Sequence, residues 1–160
     1  MRQLDATEQP IQRPSSKKPR REYYSGKQKE HTIKHQIAVD ETGKIRAVSP
    51  SYPGSVHDKR VCDIEDIEQV VIPRETEAIG DLGYQGSVLT VPNRKPRGAT
   101  LSKEEKGYNR LHASVRIGVE HVIGKLKTFN ALSERFRNEL SRHALMFKNI
   151  AGLCNLRFSS

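Results

Sequence analysis

Three acidic residues have the type and setting for phosphoryl chemistry: Asp5, Asp81 and Glu120. Asp5 follows Leu4 and precedes Ala6-Thr7, and Asp81 follows the apolar pair Ala78-Ile79 and precedes Leu82-Gly83-Tyr84-Gln85-Gly86. Each aspartate thus stands where a strand ends and a polar or glycine-containing turn begins, a place from which a carboxylate can enter a cleft beyond a sheet edge. Glu120 lies in a helical pattern. Converging from two strands and a helix, the three would make a hard oxygen-donor set of the kind magnesium and manganese prefer. Two such ions activate a water or hydroxyl and neutralise the leaving oxygen of a phosphodiester. The chain carries 19 acids, and each of these three also reads as a turn aspartate or a solvated acid, so spacing alone leaves both meanings open.

Arg116, Glu120 and Lys127 fall within about 40° on one stripe of a helical wheel, while Val115, Val119, Val122 and Leu126 occupy another face suited to packing on a sheet. The charged stripe describes either a solvated face or an acid flanked by two phosphate-gripping bases. His57-Asp58, after Pro53-Gly54-Ser55-Val56, reads as a capping and docking pair at a helix start or as the edge of a site. His31, His35, His112, His121 and His143 lack metal-ligand spacing, and Tyr23 and Tyr24 fit stacking on unpaired bases or packing equally well. Cys62 and Cys154 form no CxxC motif and read as packed thiols.

The elements that must position these residues follow from periodicity. Leu4 to Thr7 closes a strand that looks cut short, so residues 1 to 12 are expected to be loosely held. Residues 13 to 30 read as an exposed basic loop. His31 to Val39 and Lys44 to Val48 form a hairpin through Asp40-Glu41-Thr42-Gly43. Val56, Val61, Ile64, Ile67 and Val71 recur at helical spacing up to Pro73; Thr76 to Ile79 and Val88 to Val91 read as short strands. Ser102 with Glu105 forms a capping box that opens a helix to about Phe129, and Ser141 caps a last helix. Strands alternating with helices predict an α/β fold, a mixed sheet with flanking helices, in one domain over 1–160.

Composition narrows the partners. With 160 residues, 34% hydrophobic and 29% charged, the chain is globular, and no apolar run is long enough for a membrane span or a secretory signal. Net charge is +9 and unevenly spread. Arg13, Lys17, Lys18, Arg20, Arg21, Lys27, Lys29 and Lys34 face only Glu22 and Glu30 in their window, whereas Asp58 to Asp81 is acidic and Arg116 to Arg157 basic again. Such basic stretches suit a polyanion, or an ordinary solvated surface.

Six runs in order resemble the DDE transposases of bacterial insertion sequences, in the Harbinger-like group. They are Asp5-Ala6-Thr7, Tyr23 to Lys27, His31 to Lys34, Pro53 to Asp58, Asp81 to Gly86 and Arg116 to Gly124. The resemblance covers nearly the whole chain. It implies a ribonuclease-H-like catalytic domain in which Asp5, Asp81 and Glu120 hold two magnesium or manganese ions for DNA cleavage and strand transfer. It further implies that Arg116 and Lys127 position the phosphate backbone, with Arg13, Lys17, Lys18, Arg20, Arg21 and Lys27 adding sequence-independent affinity. The family's late-helix tyrosine falls on Ala113, which offers no stacking surface. The implied partners are DNA, a second copy in a homodimer, and an upstream-encoded DNA-end-binding segment absent from these 160 residues, with the first strand truncated. The implied location is the cytoplasm, at the nucleoid. Two rivals remain: an inactive remnant that only binds nucleic acid, and an unrelated basic regulatory protein. If about six phosphates are neutralised, affinity for DNA falls on the order of 10³-fold between about 50 and 200 mM salt, as filter binding across a salt series would read.

Overall fold

The computed structural model describes residues 1–64 and 77–157. Its sheet contains β1 (Arg2–Pro10), β2 (Tyr24–Ser25), β3 (Glu30–Asp40), β4 (Ile45–Val48), β5 (Tyr52–Pro53) and β6 (Ala78–Ile79). The order is β2-β3-β1-β6, with β4 and β5 also paired to β3; only the β1 and β6 pairing is parallel. The helices are α1 (Lys17–Glu22), α2 (Asp58–Ile64), α3 (Lys103–Lys127), α4 (Asn130–Ser133) and α5 (His143–Arg157). This is the mixed α/β architecture expected. None of the described helices is long and apolar enough to cross a membrane.

The first strand differs from expectation. β1 runs nine residues, paired antiparallel to β3 from Arg2 opposite Asp40 to Pro10 opposite Thr32, and Asp5 stands in its middle rather than at its end. Residues 2 to 10 are therefore held along β3, and Arg2 and Gln3 by β6 as well, instead of fraying. The expected apolar alternation is missing because Gln3, Thr7 and Gln9 occupy its buried positions. The two amides tie the strand to the helical layer: Gln3 Oε1 accepts from the Val119 amide, and Gln9 Nε2 donates to the carbonyls of Ala131 and Glu134.

Three other expectations are corrected. Within the supposed loop at 13–30, residues Lys17–Glu22 form α1, stabilised where the Arg20 guanidinium donates to the Pro14 and Ser15 carbonyls, and Tyr24–Ser25 pairs with β3. Val88 to Val91 makes only a single bridge, Ile79 with Thr90, because Pro92 has no amide hydrogen to extend the ladder. Ser141 lies inside a 3₁₀ turn, Leu140–Arg142, and α5 starts at His143. The helical positions Ile67 and Val71, Pro73, and the start of the strand at Thr76 lie outside the described residues.

The long helix is as its sequence demands. The Ser102 hydroxyl accepts from the Glu105 amide and the Glu105 carboxylate accepts from the Ser102 amide, a reciprocal cap that satisfies two otherwise unpaired donors. Val119, Val122 and Leu126 of α3 pack with Phe147 and Ile150 of α5 against Ile37 and Val39, forming the larger core. On the other face Leu4, Ala38, Cys62, Ala78, Tyr84 and Leu89 form the second. Both cysteines are buried.

A polar chain crosses the larger core. His35 Nδ1 stands 3.0 Å from the Ser49 carbonyl and its Nε2 2.8 Å from His143 Nδ1, while His143 Nε2 stands 2.7 Å from Gln9 Oε1; two neutral rings supply protons for two of these three contacts. Burial lowers the pKa of His35 to about 4, helped by the Lys148 charge, and that of His143 to about 3, helped by His35 and Lys127. Both folded values lie below the ordinary 6.5, so the unfolded chain takes up these protons first and stability is lost as pH falls below about 6.5. Urea midpoints are expected to hold steady above pH 7 and to drop between pH 6.5 and 4, a slope that a His35→Gln/His143→Gln variant should lack.

Candidate active site

Asp5 leaves β1 on the face that meets α3. Its Oδ1 accepts from the Ala6 amide at 2.8 Å and its Oδ2 from Arg116 Nη2 at 3.0 Å. The same Arg116 nitrogen lies 3.5 Å from Glu120 Oε1, one helical turn on, so a single guanidinium touches two of the three carboxylates. Burial raises the pKa of Asp5, and the nearby Asp81 charge adds to this, while the Ala6 amide and Arg116 oppose it. β6 runs parallel to β1 with Gln3 opposite Ile79, so the chain leaving β6 carries Asp81 along the flank of the strand that bears Asp5.

Asp81 follows β6 by one glycine and caps a 3₁₀ turn, Leu82–Tyr84, its Oδ1 accepting from the Gly83 amide at 2.8 Å. A Cβ at 83 would lie 2.8 Å from Asp81 Oδ1 and 3.3 Å from Asp58 Oδ2, so any larger residue there would displace the Asp81 carboxylate. Asp58, the first residue of α2, therefore stands beside the Asp81 turn. Tyr84 fills the floor beneath, fully buried, its hydroxyl accepting from Gln36 Nε2 at 2.8 Å. Burial lifts the Tyr84 pKa well above 10.0, and the charges of Asp58, Asp5 and Asp81 push it further.

Glu120 has a half-exposed carboxylate on α3 and is placed by a notch in that helix. Gln3 of β1 presses its side-chain amide against Gly118, where an added Cβ would meet Gln3 Oε1 at 2.7 Å, and accepts from the Val119 amide at 2.8 Å. Strand and helix are thereby joined two residues from Asp5 and one from Glu120.

The structure thus gathers Asp5, Glu120 and Arg116 directly, with Asp81 close by. The donor chemistry suits a hard divalent cation, since all three acids offer only oxygens. Asp5 and Glu120 meet at Arg116 and Asp81 at the Gly83 amide, not around a common point: among the described residues no three His, Cys, Asp or Glu side chains are grouped closely enough to hold a metal ion. The basic residues divide. Arg13, Lys17, Lys18, Arg21 and Lys27 are exposed, while Arg20 is half-buried on the Pro14 and Ser15 carbonyls. Lys127 turns inward, its ammonium donating to the Glu8 carbonyl, and burial lowers its pKa against the opposing Glu8 charge.

The chain matches the family model described as DDE superfamily endonuclease over residues 4–155. The chain belongs to the DDE endonuclease superfamily. It is 38% identical over 158 residues, 95% of the chain, to a probable transposase for insertion sequence element IS702 of Microchaete diplosiphon, and covers 55% of that protein. It is 30% identical over 129 residues, 79% of the chain, to a putative transposase for insertion sequence element IS112 of Streptomyces albus G, covering 49% of it. The chain spans about half the length of the curated relatives it matches. No solved structure matches it. The family match accords with the six runs' resemblance to DDE transposases.

Sequence reasoning missed Gln3, Glu8, Lys34 and Tyr84 as parts of this site, and took Asp58 chiefly as a helix-start residue. The available signal was a lysine inside a strand between Ile33 and Ile37; its meaning depends on the β1 and β3 register, which sets it opposite Glu8. Gly118→Ala should push α3 away from Gln3, lowering the melting temperature, while Gln3→Ala/Gly118→Ala should recover part of that loss by removing the collision; thermal melts of the pair test it.

Proposed function

We propose that the chain is the catalytic part of a transposase of the Harbinger-like group, with a ribonuclease-H-like fold, cutting and joining DNA strands by metal-assisted phosphoryl transfer. The observation that carries this reading is Arg116 bridging Asp5 on the sheet and Glu120 on the helix, with Asp81 at the adjacent strand end. Asp5, Asp81 and Glu120 would hold two magnesium or manganese ions. Such ions, when bound, activate the attacking oxygen and stabilise the leaving one.

The chain's own residues supply position and electrostatics. Asp5 is fixed by the Ala6 amide, Asp81 by the Gly83 amide, and Glu120 by the join between Gln3 and α3, so all three carboxylates are held from rigid elements. Arg116, at the centre of the group, is the residue placed to grip a phosphate oxygen next to the scissile bond. The exposed residues Arg13, Lys17, Lys18, Arg21 and Lys27 give backbone contacts that carry no sequence information, with Arg20 bracing the short helix that carries Lys17, Lys18 and Arg21. Lys127, whose ammonium donates to the Glu8 carbonyl, would have to leave that oxygen to meet a phosphate.

Asp81→Asn keeps an oxygen to accept from the Gly83 amide, so the turn survives while the anionic ligand is lost. Magnesium-dependent nicking of supercoiled DNA should fall about 10³-fold, equivalent to roughly 4 kcal/mol of transition-state stabilisation, with DNA affinity unchanged. Nicking at the parent rate would overturn the assignment.

A further inference from the structure

Behind the Asp81 turn, on the sheet face opposite Asp5, lies a buried ion triad that the carboxylate chemistry does not itself use. Lys34, on β3, is 5% exposed. Its ammonium donates to Asp58 Oδ1 at 2.7 Å and to the Val56 carbonyl at 2.6 Å, and lies 3.3 Å from Glu8 Oε1. Three acceptors match its three N–H groups. Glu8 is itself fixed, since Oε2 accepts from the Thr32 hydroxyl at 2.6 Å.

This arrangement does more than keep a buried charge company. The triad joins three separate pieces of chain: β1 through Glu8, β3 through Lys34, and the Pro53 to Asp58 run that leads into α2. Asp58 spends Oδ1 on Lys34, and its Oδ2 stands 3.3 Å from where a Cβ on Gly83 would lie, beside the amide that anchors the Asp81 carboxylate. Lys59, the next residue, brings its Cε 3.3 Å from where a Cβ on Gly86 would lie, at the far end of the same turn. The start of α2 therefore brackets residues 83 to 86, and Lys34 fixes the start of α2.

We propose that Lys34 is a positioning residue for Asp81: through Asp58 it holds the turn that aims the Asp81 carboxylate at Asp5. Without the ammonium, Glu8 and Asp58 would be two buried carboxylates facing one another, and Asp58 would swing away from Gly83. The Asp81 turn would then lose its bracket on that side. Lys34 makes no contact with a reacting atom in this scheme; it acts on metal affinity, as residues that orient a ligand do.

The inference rests on the metal-dependent reading of Asp5, Asp81 and Glu120, and manganese binding by the whole chain, followed by loss of the free-ion paramagnetic resonance signal, separates the two. Binding by the parent chain that Asp81→Asn weakens supports that reading; no binding by the parent, or binding that Asp81→Asn leaves untouched, removes both. Given that support, Lys34→Met is expected to weaken manganese binding about 10- to 100-fold. Parent-like binding by a folded Lys34→Met overturns the positioning role. Should Lys34→Met fail to fold, Glu8→Gln/Lys34→Met/Asp58→Asn removes the stranded charges. Recovered melting temperature with weak manganese binding supports positioning, whereas recovery of both shows that Lys34 serves only the fold.

Discussion

Pairing of β1 with β3 over nine consecutive residues decides which side of the sheet every polar group of this protein occupies. Opposite residues share a face, so Glu8 with Lys34 and Ala6 with Gln36 turn toward Tyr84 and α2, while Asp5 with Ile37 and Thr7 with His35 turn toward α3 and α5. Because side chains alternate with a period of two, a slip of one residue would carry Asp5 away from Arg116 and set Glu8 among the apolar residues of the larger core. The register is secured by more than backbone hydrogen bonds. Lys34 and Glu8 meet across it on one face, and Gln3 and Gln9 reach α3, α4 and α5 on the other.

The polarity of β1 has a matching economy of charge. Each acid on this strand has a cation drawn from another element: Arg116 of α3 for Asp5, and Lys34 of β3 for Glu8. Lys127 of α3 approaches the Glu8 carbonyl from the far side of the same residue. Three cations of a strongly basic protein are thus committed to its interior, and the exposed positive residues of the 13–27 region remain for surface interaction. Burial of ionised groups is costly unless they are paired and hydrogen-bonded, and here the partners come from distant parts of the chain. The same contacts that make the site acidic therefore close the fold around it.

The local features were legible where one segment contains its own explanation. The Ser102 and Glu105 box announces the start of α3, the valines at 119 and 122 with Leu126 announce its buried face, and Asp81 before a glycine-containing turn announces a capped bend. The length of β1 was hidden because Gln3, Thr7 and Gln9 fill its inward positions, and their partners, from Val119 to His143, lie more than a hundred residues away. Asp58 was hidden for the same reason: beside His57 it looks like a helix start, and only the tertiary approach of Gly83 gives its second oxygen something to do. Lys34 carries the clearest lesson, since a charge amid apolar strand residues has no meaning until the opposing strand is in register.

Arg116 has one more consequence. By standing between Asp5 and Glu120 it serves these carboxylates as an internal counter-ion, so their mutual repulsion is relieved by the polypeptide itself. In the metal-dependent reading proposed above, folding and loading would be separate events: the chain would reach its architecture in metal-poor surroundings, unlike small domains whose native state exists only with the ion in place. A cation arriving at these oxygens would displace a guanidinium instead of completing a fold, and its apparent affinity would be set by that exchange.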